Sequence, residues 1–359
     1  MFLDLNRESC LKKVLNSNGN VILFGAGGYG RLMFSIFKKL NMKIKYFCDN
    51  DINKHGKNID EIKVISPNEL SQFKRDTPII ITSDYNNYFC EIYEQLKKMK
   101  FDNLYYFSPH FIMEHYNELL YNSIANNIEN IENLFKILED GKSKNVLKSV
   151  LNYRLTFDIN DLINCVSKNE MYFDKDIMDF KGENYFIDGG AYDGKTILKF
   201  IEAAKGNFKF VYSFEPDKNN FALLKSNKRL VEYSSKIKLE NKGLYKQTGK
   251  VCFSNSANQG SCINEGCPNN LINTISIDDY AVNNKITFIK MDIEGSEIDA
   301  INGGIKTLKF VKPTLSICLY HKMNDLWEIP LLIKSIQPDY KIYLRQYEYT
   351  LYDTVCYAI

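Results

Sequence analysis

Tyr185-Phe186-Ile187-Asp188-Gly189-Gly190-Ala191-Tyr192-Asp193-Gly194 reads as an apolar strand running into a glycine-rich turn. The glycines let a backbone approach a ligand closely at the start of a helix. Asp188, at the strand tip, can meet a ligand ammonium, directly or through water. The next apolar run, 209–214, ends in Phe214-Glu215-Pro216. An acid at the tip of a second strand can accept both hydroxyl hydrogens of a ribose. A third strand, 236–240, leads into Asn241-Lys242-Gly243, which sets Asn241 beside the base of such a ligand. Each piece is weak alone. Together, in this order and spacing, they are specific.

Working outward, strands are expected at 184–188, 286–292 and 314–320, with a final hairpin of 341–344 and 354–358. The stretch 248–273, rich in Gly, Ser, Asn and Cys, reads as a long loop. The first hundred residues alternate in the same way. Val21–Phe24, 43–48, 79–82 and 104–107 read as strands, with helices over 28–40 and 86–99. Strands alternating with helices argue for parallel sheets. Between these regions, 111–180 carries helical apolar spacing and no clear strand. The expected fold class is therefore α/β. It consists of a small Rossmann-like domain at 1–110, a helical connector at 111–180 and a second Rossmann-like domain at 181–359.

Composition sets the limits. The chain has 359 residues, 45% hydrophobic and 25% charged, which are ordinary globular values. Its formal net charge of +2 leaves no footprint for a nucleic-acid partner. No apolar run reaches the ~18 residues of a membrane span. Met1 to Glu8 has no basic stretch followed by an apolar one, so no secretion signal is expected. The nine cysteines are scattered and form no C-x-x-C pair. That argues against a zinc ribbon or redox dithiol and fits a reducing cytoplasm.

The D-G-G-A turn, the strand-tip Glu215 and Asn241 together resemble the S-adenosylmethionine site of class I methyltransferases. The order of motifs is similar to that of the FkbM family: Asp188-Gly189-Gly190-Ala191, Phe214-Glu215-Pro216, Ile277-Asp278-Asp279-Tyr280, Lys290-Met291-Asp292-Ile293-Glu294-Gly295-Ser296-Glu297, then a strand ending at His321. The resemblance covers about 181–325. Two departures are the doubled glycine at 189–190, where the family usually has one, and the unmatched stretch 248–273. The resemblance implies an O-methyltransferase acting on sugar or polyketide-like hydroxyls. It implies that Asp188, Gly189, Gly190, Ala191, Tyr192, Asp193, Glu215, Pro216, Asn241 and Asp292 hold the methyl donor.

Methyl transfer to an alcohol needs an aligned donor and acceptor and a group that removes a proton. Asp292, Glu294 and His321 lie at two strand tips and are the expected catalytic residues. Metal-dependent O-methyltransferases place ion ligands at the ends of these strands. A divalent Mn, Fe or Mg on Asp292, Glu294 and His321 is therefore one reading, and His321 as a plain base is the other. Glu294 also reads as a helix cap, Glu297 as a structural first-turn acid, and Lys290 as the partner of an acid. Asp278 and Asp279 read either as acceptor ligands or as helix caps. His55, His110 and His115 lie away from these tips and read as ordinary.

Near the N-terminus, Gly25-Ala26-Gly27-Gly28-Tyr29-Gly30 is a G-x-G-x-x-G turn between a strand and a helix, with Asp49-Asn50 at the next strand tip. With Phe47-Cys48-Asp49-Asn50-Asp51, Lys54-His55-Gly56 and Val64-Ile65-Ser66-Pro67-Asn68-Glu69-Leu70, it resembles the N-terminal domain of PglD-type sugar acyltransferases. That resemblance, over about 19–108, implies a nucleotide-activated sugar held by Gly25, Gly27, Gly28, Tyr29, Gly30, Asp49 and Asn50. A phosphate at the helix N-terminus suits this ligand and a nicotinamide dinucleotide alike. The resulting expectation is a methyltransferase acting on a nucleotide-activated sugar in surface polysaccharide synthesis. The alternatives are a nicotinamide-linked oxidoreductase and a non-catalytic sugar-nucleotide-binding protein. Self-association is left open.

Overall fold

Four apolar residues without a polar break, Val21–Phe24, form β1, buried on both faces as a central parallel strand should be. The computed structural model describes residues 5, 7–17, 20–83, 86–107, 116–254, 262–263 and 271–359. Its chain divides into two compact units. The first comprises 1–128, 145–166 and 348–351, and the second 129–144, 167–347 and 352–359.

In the first unit, β1 lies between β2 (Ile44–Cys48) and β5 (Ile79–Ile81) in parallel pairings. A short hairpin of β3 (Asn58–Ile59) and β4 (Ile62–Ile65) extends one edge, and β6 (Leu104–Tyr106) the other. The hairpin is absent from the sequence reading because two to four residues carry no measurable alternation. Gly25 and Gly30 pack the turn after β1 tightly. A Cβ on Gly30 would stand 1.9 Å from the Gly25 carbonyl oxygen, backbone that cannot yield. Gly30→Ala is expected to destabilise this unit by about 1–3 kcal/mol, read as a lowered melting temperature.

The second unit is built on β7 (Tyr185–Gly189), β8 (Phe210–Phe214), β9 (Ile237–Glu240), β14 (Phe288–Met291), β15 (Thr314–Cys318), β16 (Ile342–Gln346) and β17 (Thr354–Ala358). The strand order is β16-β17-β15-β14-β7-β8-β9. Pairing is parallel from β15 to β9, and β17 runs antiparallel to both neighbours. The chain leaves β7 toward β8 on one side and returns to β14 on the other. The crevice at such a reversal, outside the carboxyl strand ends, is where open α/β sheets bind ligands. Phe173, Phe180, Phe186, Phe200 and Phe288 form an aromatic cluster beneath it, with Phe186 and Phe288 stacked at 4.8 Å.

Two expectations change. The stretch 248–273 is not one long loop. It contributes β11 (Gly249–Ser254), β12 (Cys262–Ile263) and the start of β13 (Leu271–Ile275), which with β10 (Gly243–Leu244) form a four-stranded sheet. Glycine- and serine-rich composition hid strands that pair with each other rather than bury a continuous apolar face. Residues 111–180 do contain helices at Tyr116–Ala125, Ile128–Ile137, Gly141–Thr156 and Ile159–Leu162. However, this region is shared between the two units, and 167–180 packs as irregular chain against the second sheet's core.

Candidate active site

The turn after β7 is shaped by two close approaches. Gly190 has φ +74, and a Cβ there would stand 1.8 Å from the Asp292 carbonyl oxygen. Only glycine fits, which accounts for the second glycine of the doubled pair. The amides of Gly190 and Ala191 donate to the Phe214 carbonyl, at 3.0 and 3.1 Å. Glu215 is buried, and its two carboxylate oxygens accept from the Tyr192 and Asp217 amides, both at 3.0 Å. Burial raises its pKa, which these bonds oppose. Its first task is to hold the turn; a ribose would share its remaining lone pairs. Asn241 ties the two loops together by donating to the carbonyls of Glu215 and Pro216. Asp193 accepts from the Lys195 amide, and Tyr192 is half exposed over the turn.

Asp188 corrects the sequence reading. It is fully buried, and its carboxylate lies 3.1 Å from the Lys290 ammonium rather than facing the crevice. Lys290 also donates to the carbonyls of Gly189 and Gly190, at 2.9 and 2.8 Å. The chain's own cation occupies the place expected for a ligand's. Lys290 thereby braces the glycine turn from below.

Asp292 follows β14 directly, and its amide donates to the Gly189 carbonyl. One carboxylate oxygen accepts from the Tyr172 phenol at 2.8 Å, and the other from the Tyr320 phenol at 3.1 Å. The second oxygen also lies 3.3 Å from His321 Nε2. Burial acts to raise its pKa, but His321, Lys290 and Tyr172 outweigh it and hold the carboxyl well below the usual range. His321 Nδ1 stands 2.9 Å from Glu297 Oε1, and Nε2 lies 3.5 Å from Glu294 Oε2. Burial alone would lower the imidazole's pKa. The charge of Glu297 and contacts with Asp292 instead raise it to about 11. His321 is therefore an imidazolium at neutral pH.

Glu294 differs from its neighbours. Its side chain is 41% exposed. Burial of the rest, with the charges of Asp292, Glu297 and Glu215, raises its pKa to about 7 against the pull of His321. β14 ends at Met291, so the expectation that Asp292 and Glu294 share one strand face does not apply. Glu294 adopts φ +55, and Tyr192 and Tyr172 are likewise left-handed at +49 and +69. Glu294 caps no helix: the helix Glu297–Asn302 starts later, with Ser296 as its cap.

Asp292, Glu294 and His321 are brought together, with His321 Nε2 3.3 Å from Asp292 and 3.5 Å from Glu294, but both Asp292 oxygens already accept phenol hydrogens. Among the described residues no group of three such side chains is placed to hold a metal. Asp278 accepts from the Lys306 and Thr307 amides, and Asp279 from the Thr248 hydroxyl, so these acids tie loops together.

Sequence reasoning missed Tyr172, Tyr320 and Glu297 as site residues. For Glu297 a signal existed, because an acid five residues after Asp292 begins the helix that faces the same crevice.

Residues 188–349 match the sequence family described as the methyltransferase FkbM domain. The chain carries an FkbM methyltransferase domain. The fold agrees: the crystal structure of methyltransferase FkbM from Methylobacillus flagellatus KT superposes with a TM-score of 0.73 at 24% identity, covering 98% of this chain and 93% of that one. Two rRNA methylase structures align less well. That from Streptococcus thermophilus has a TM-score of 0.31 at 15% identity over 49% of this chain and 85% of its own. That from Clostridium thermocellum, a putative rRNA-methylase by description, has 0.33 at 10% over 49% and 86%. No curated protein matches the sequence. Every site residue from Asp188 to His321 lies inside the FkbM domain, whereas Tyr172 lies before it.

Residues 17–104 match a different family, described as C2185-like, N-terminal. There Asp49 turns inward: its carboxylate accepts from the Ala26 and Asp51 amides and from Lys54, at 2.7, 2.8 and 3.0 Å. Asn50 exchanges hydrogen bonds with Gln95, Tyr29 donates to the Phe107 carbonyl, and His55 Nε2 lies 2.8 Å from the Asp49 carbonyl. Gly27 and Gly28 have open space around them. His110 and His115 lie outside the described residues. No helix among the described residues is long and apolar enough to cross a membrane.

Proposed function

We propose that the FkbM domain transfers a methyl group from S-adenosylmethionine to a hydroxyl of a nucleotide-activated sugar, as a step in surface polysaccharide synthesis in the cytoplasm. The observation that carries this reading is the junction of the glycine turn with Asp292. A crevice floor closed by backbone lies beside a cluster holding one imidazolium and one carboxyl near its midpoint. When bound, S-adenosylmethionine supplies a methyl group on a cationic sulfur. Gly189, Gly190, Ala191 and Tyr192 form the cradle that would receive it, held by Glu215, Asn241 and Lys290. Asp193 completes the turn.

Glu294 takes the proton from the acceptor hydroxyl. A base with a pKa near the working pH is both available and strong enough. His321, fixed between Glu297 and Asp292, keeps Glu294 oriented and balances charge as the proton arrives. Taken by itself, the first unit has an open Gly27-Gly28 turn at a helix N-terminus that suits the pyrophosphate of a nucleotide-activated sugar.

Mass spectrometry tests the reading. The chain is incubated with S-adenosylmethionine and a panel of nucleotide-activated sugars, with and without chelator, and the products are examined for one added methyl group. A methylated sugar supports the proposal; no donor binding at all would sink it. The pH profile should follow Glu294. Because the base must be ionised, kcat/KM should rise about tenfold per pH unit below about 7 and level off above it. Glu294→Gln should lower the rate about a hundredfold and flatten that rise.

A further inference from the structure

We infer that Tyr172, which precedes the matched FkbM domain, is a positioning residue for methyl transfer, its phenol fixing the Asp292 carboxylate against His321. The inference rests on the reaction proposed above.

The phenol donates to Asp292 Oδ2 at 2.8 Å, while the other oxygen receives Tyr320 and faces His321 at 3.3 Å. A carboxylate held at one oxygen rotates; held at both, it presents one edge. The Tyr172 hydroxyl also meets Cys318 Sγ, at 3.3 Å. The rest of the residue is anchored independently of the site. Its amide donates to the Tyr357 phenol at 3.0 Å, and its carbonyl accepts from Ser316 Oγ at 2.9 Å. Its ring packs in the second unit's core beside Phe173, with the Lys290 ammonium 5.2 Å from the ring centre. An aromatic residue at φ +69 persists only where its surroundings over-determine it.

A purely structural role would be served by phenylalanine, which keeps the ring, the backbone anchors and the strain. The hydroxyl is what the core does not need. It reaches past Cys318 to the carboxylate that meets His321 Nε2 at 3.3 Å. Irregular chain from 167–180 thus supplies a side chain to a site whose other members lie between 188 and 321.

The test uses the full chain carrying Tyr172→Phe, with Tyr320→Phe for comparison. Tyr172→Phe is expected to melt within a few degrees of the parent. It should lower kcat about tenfold to a hundredfold, the loss of one charge-assisted hydrogen bond, with KM for S-adenosylmethionine unchanged within about twofold. Its crystal structure should show the Asp292 carboxylate rotated away from His321. An unchanged kcat in a folded variant overturns the inference, as does a parallel rise in KM that accounts for the whole effect. If the parent methylates no acceptor, the proposed reaction falls. The crystal structure alone then decides Tyr172, and an unmoved Asp292 overturns it.

Discussion

Asp292→Asn is expected to reduce methyl transfer about a thousandfold while leaving the chain folded. The substitution keeps size and shape but removes the negative charge at the meeting point of Tyr172, Tyr320 and His321. Two consequences compound. An amide can still accept from a phenol through its oxygen, but its NH2 group meets the second phenol or the imidazolium as a donor against a donor. The His321 charge also loses one of its counter-ions, so the proton leaves the ring more readily and the group facing Glu294 changes character. Orientation of a base and electrostatic support of developing charge each contribute factors of about 10²–10³. Steady-state kinetics with a thermal melt on the same sample checks the claim. A variant within tenfold of the parent would remove Asp292 from the mechanism.

Lys290→Met should destabilise the second unit by about 3–5 kcal/mol, the cost of stranding a buried charge. Lys290 and Asp188 sit on adjacent strands with side chains 1% and 0% exposed. Methionine fills the volume but leaves the Asp188 carboxylate without a counter-ion. Burial then drives that carboxyl to keep its proton, so the folded chain binds it more tightly than the unfolded chain does. The deficit should therefore shrink as pH falls toward the carboxyl's ordinary range and grow as pH rises. Adding Asp188→Asn should recover part of the loss. Full recovery is not expected, because Lys290 also supports the Gly189 and Gly190 carbonyls. Urea titrations of the single and double variants measure all of this, and a single variant as stable as its parent would disprove the stated role of the pair.

Much of the fold was legible. β7, β8, β14 and β15 are short, mainly apolar strands, and the residues at or just after their ends, Gly189, Glu215 and Asp292 among them, mark the carboxyl edge where the crevice lies. Lys290 was legible in principle. A lysine between Ile289 and Met291 in a strand buried on both faces demands a partner, and Asp188 on the next strand is at hand. His321 shows the limit. Its place at a strand tip could be read, yet its protonation depends on Glu297 and Asp292 docking on either side, which spacing alone does not reveal. Tyr172 gave no signal, because 167–180 has neither helical nor alternating periodicity and its partner Asp292 is 120 residues away. In the first unit the G-x-G-x-x-G turn was plain, but nothing local told that Asp49 would turn back onto Ala26.

The division of the chain also bears on its synthesis. The first unit includes 348–351, and within it Tyr349 packs against Phe89 with ring centres 5.1 Å apart. On the ribosome, a chain elongating at about 5–20 residues per second will have translated the whole strand-and-helix series of 21–106 long before Tyr349 exists. The first unit therefore lacks residues 348–351 until they have emerged. The second unit closes with 352–359, so the two bodies reach completion nearly together rather than one after the other. A nascent chain stalled before 348 would carry an unfinished first unit however long it waited.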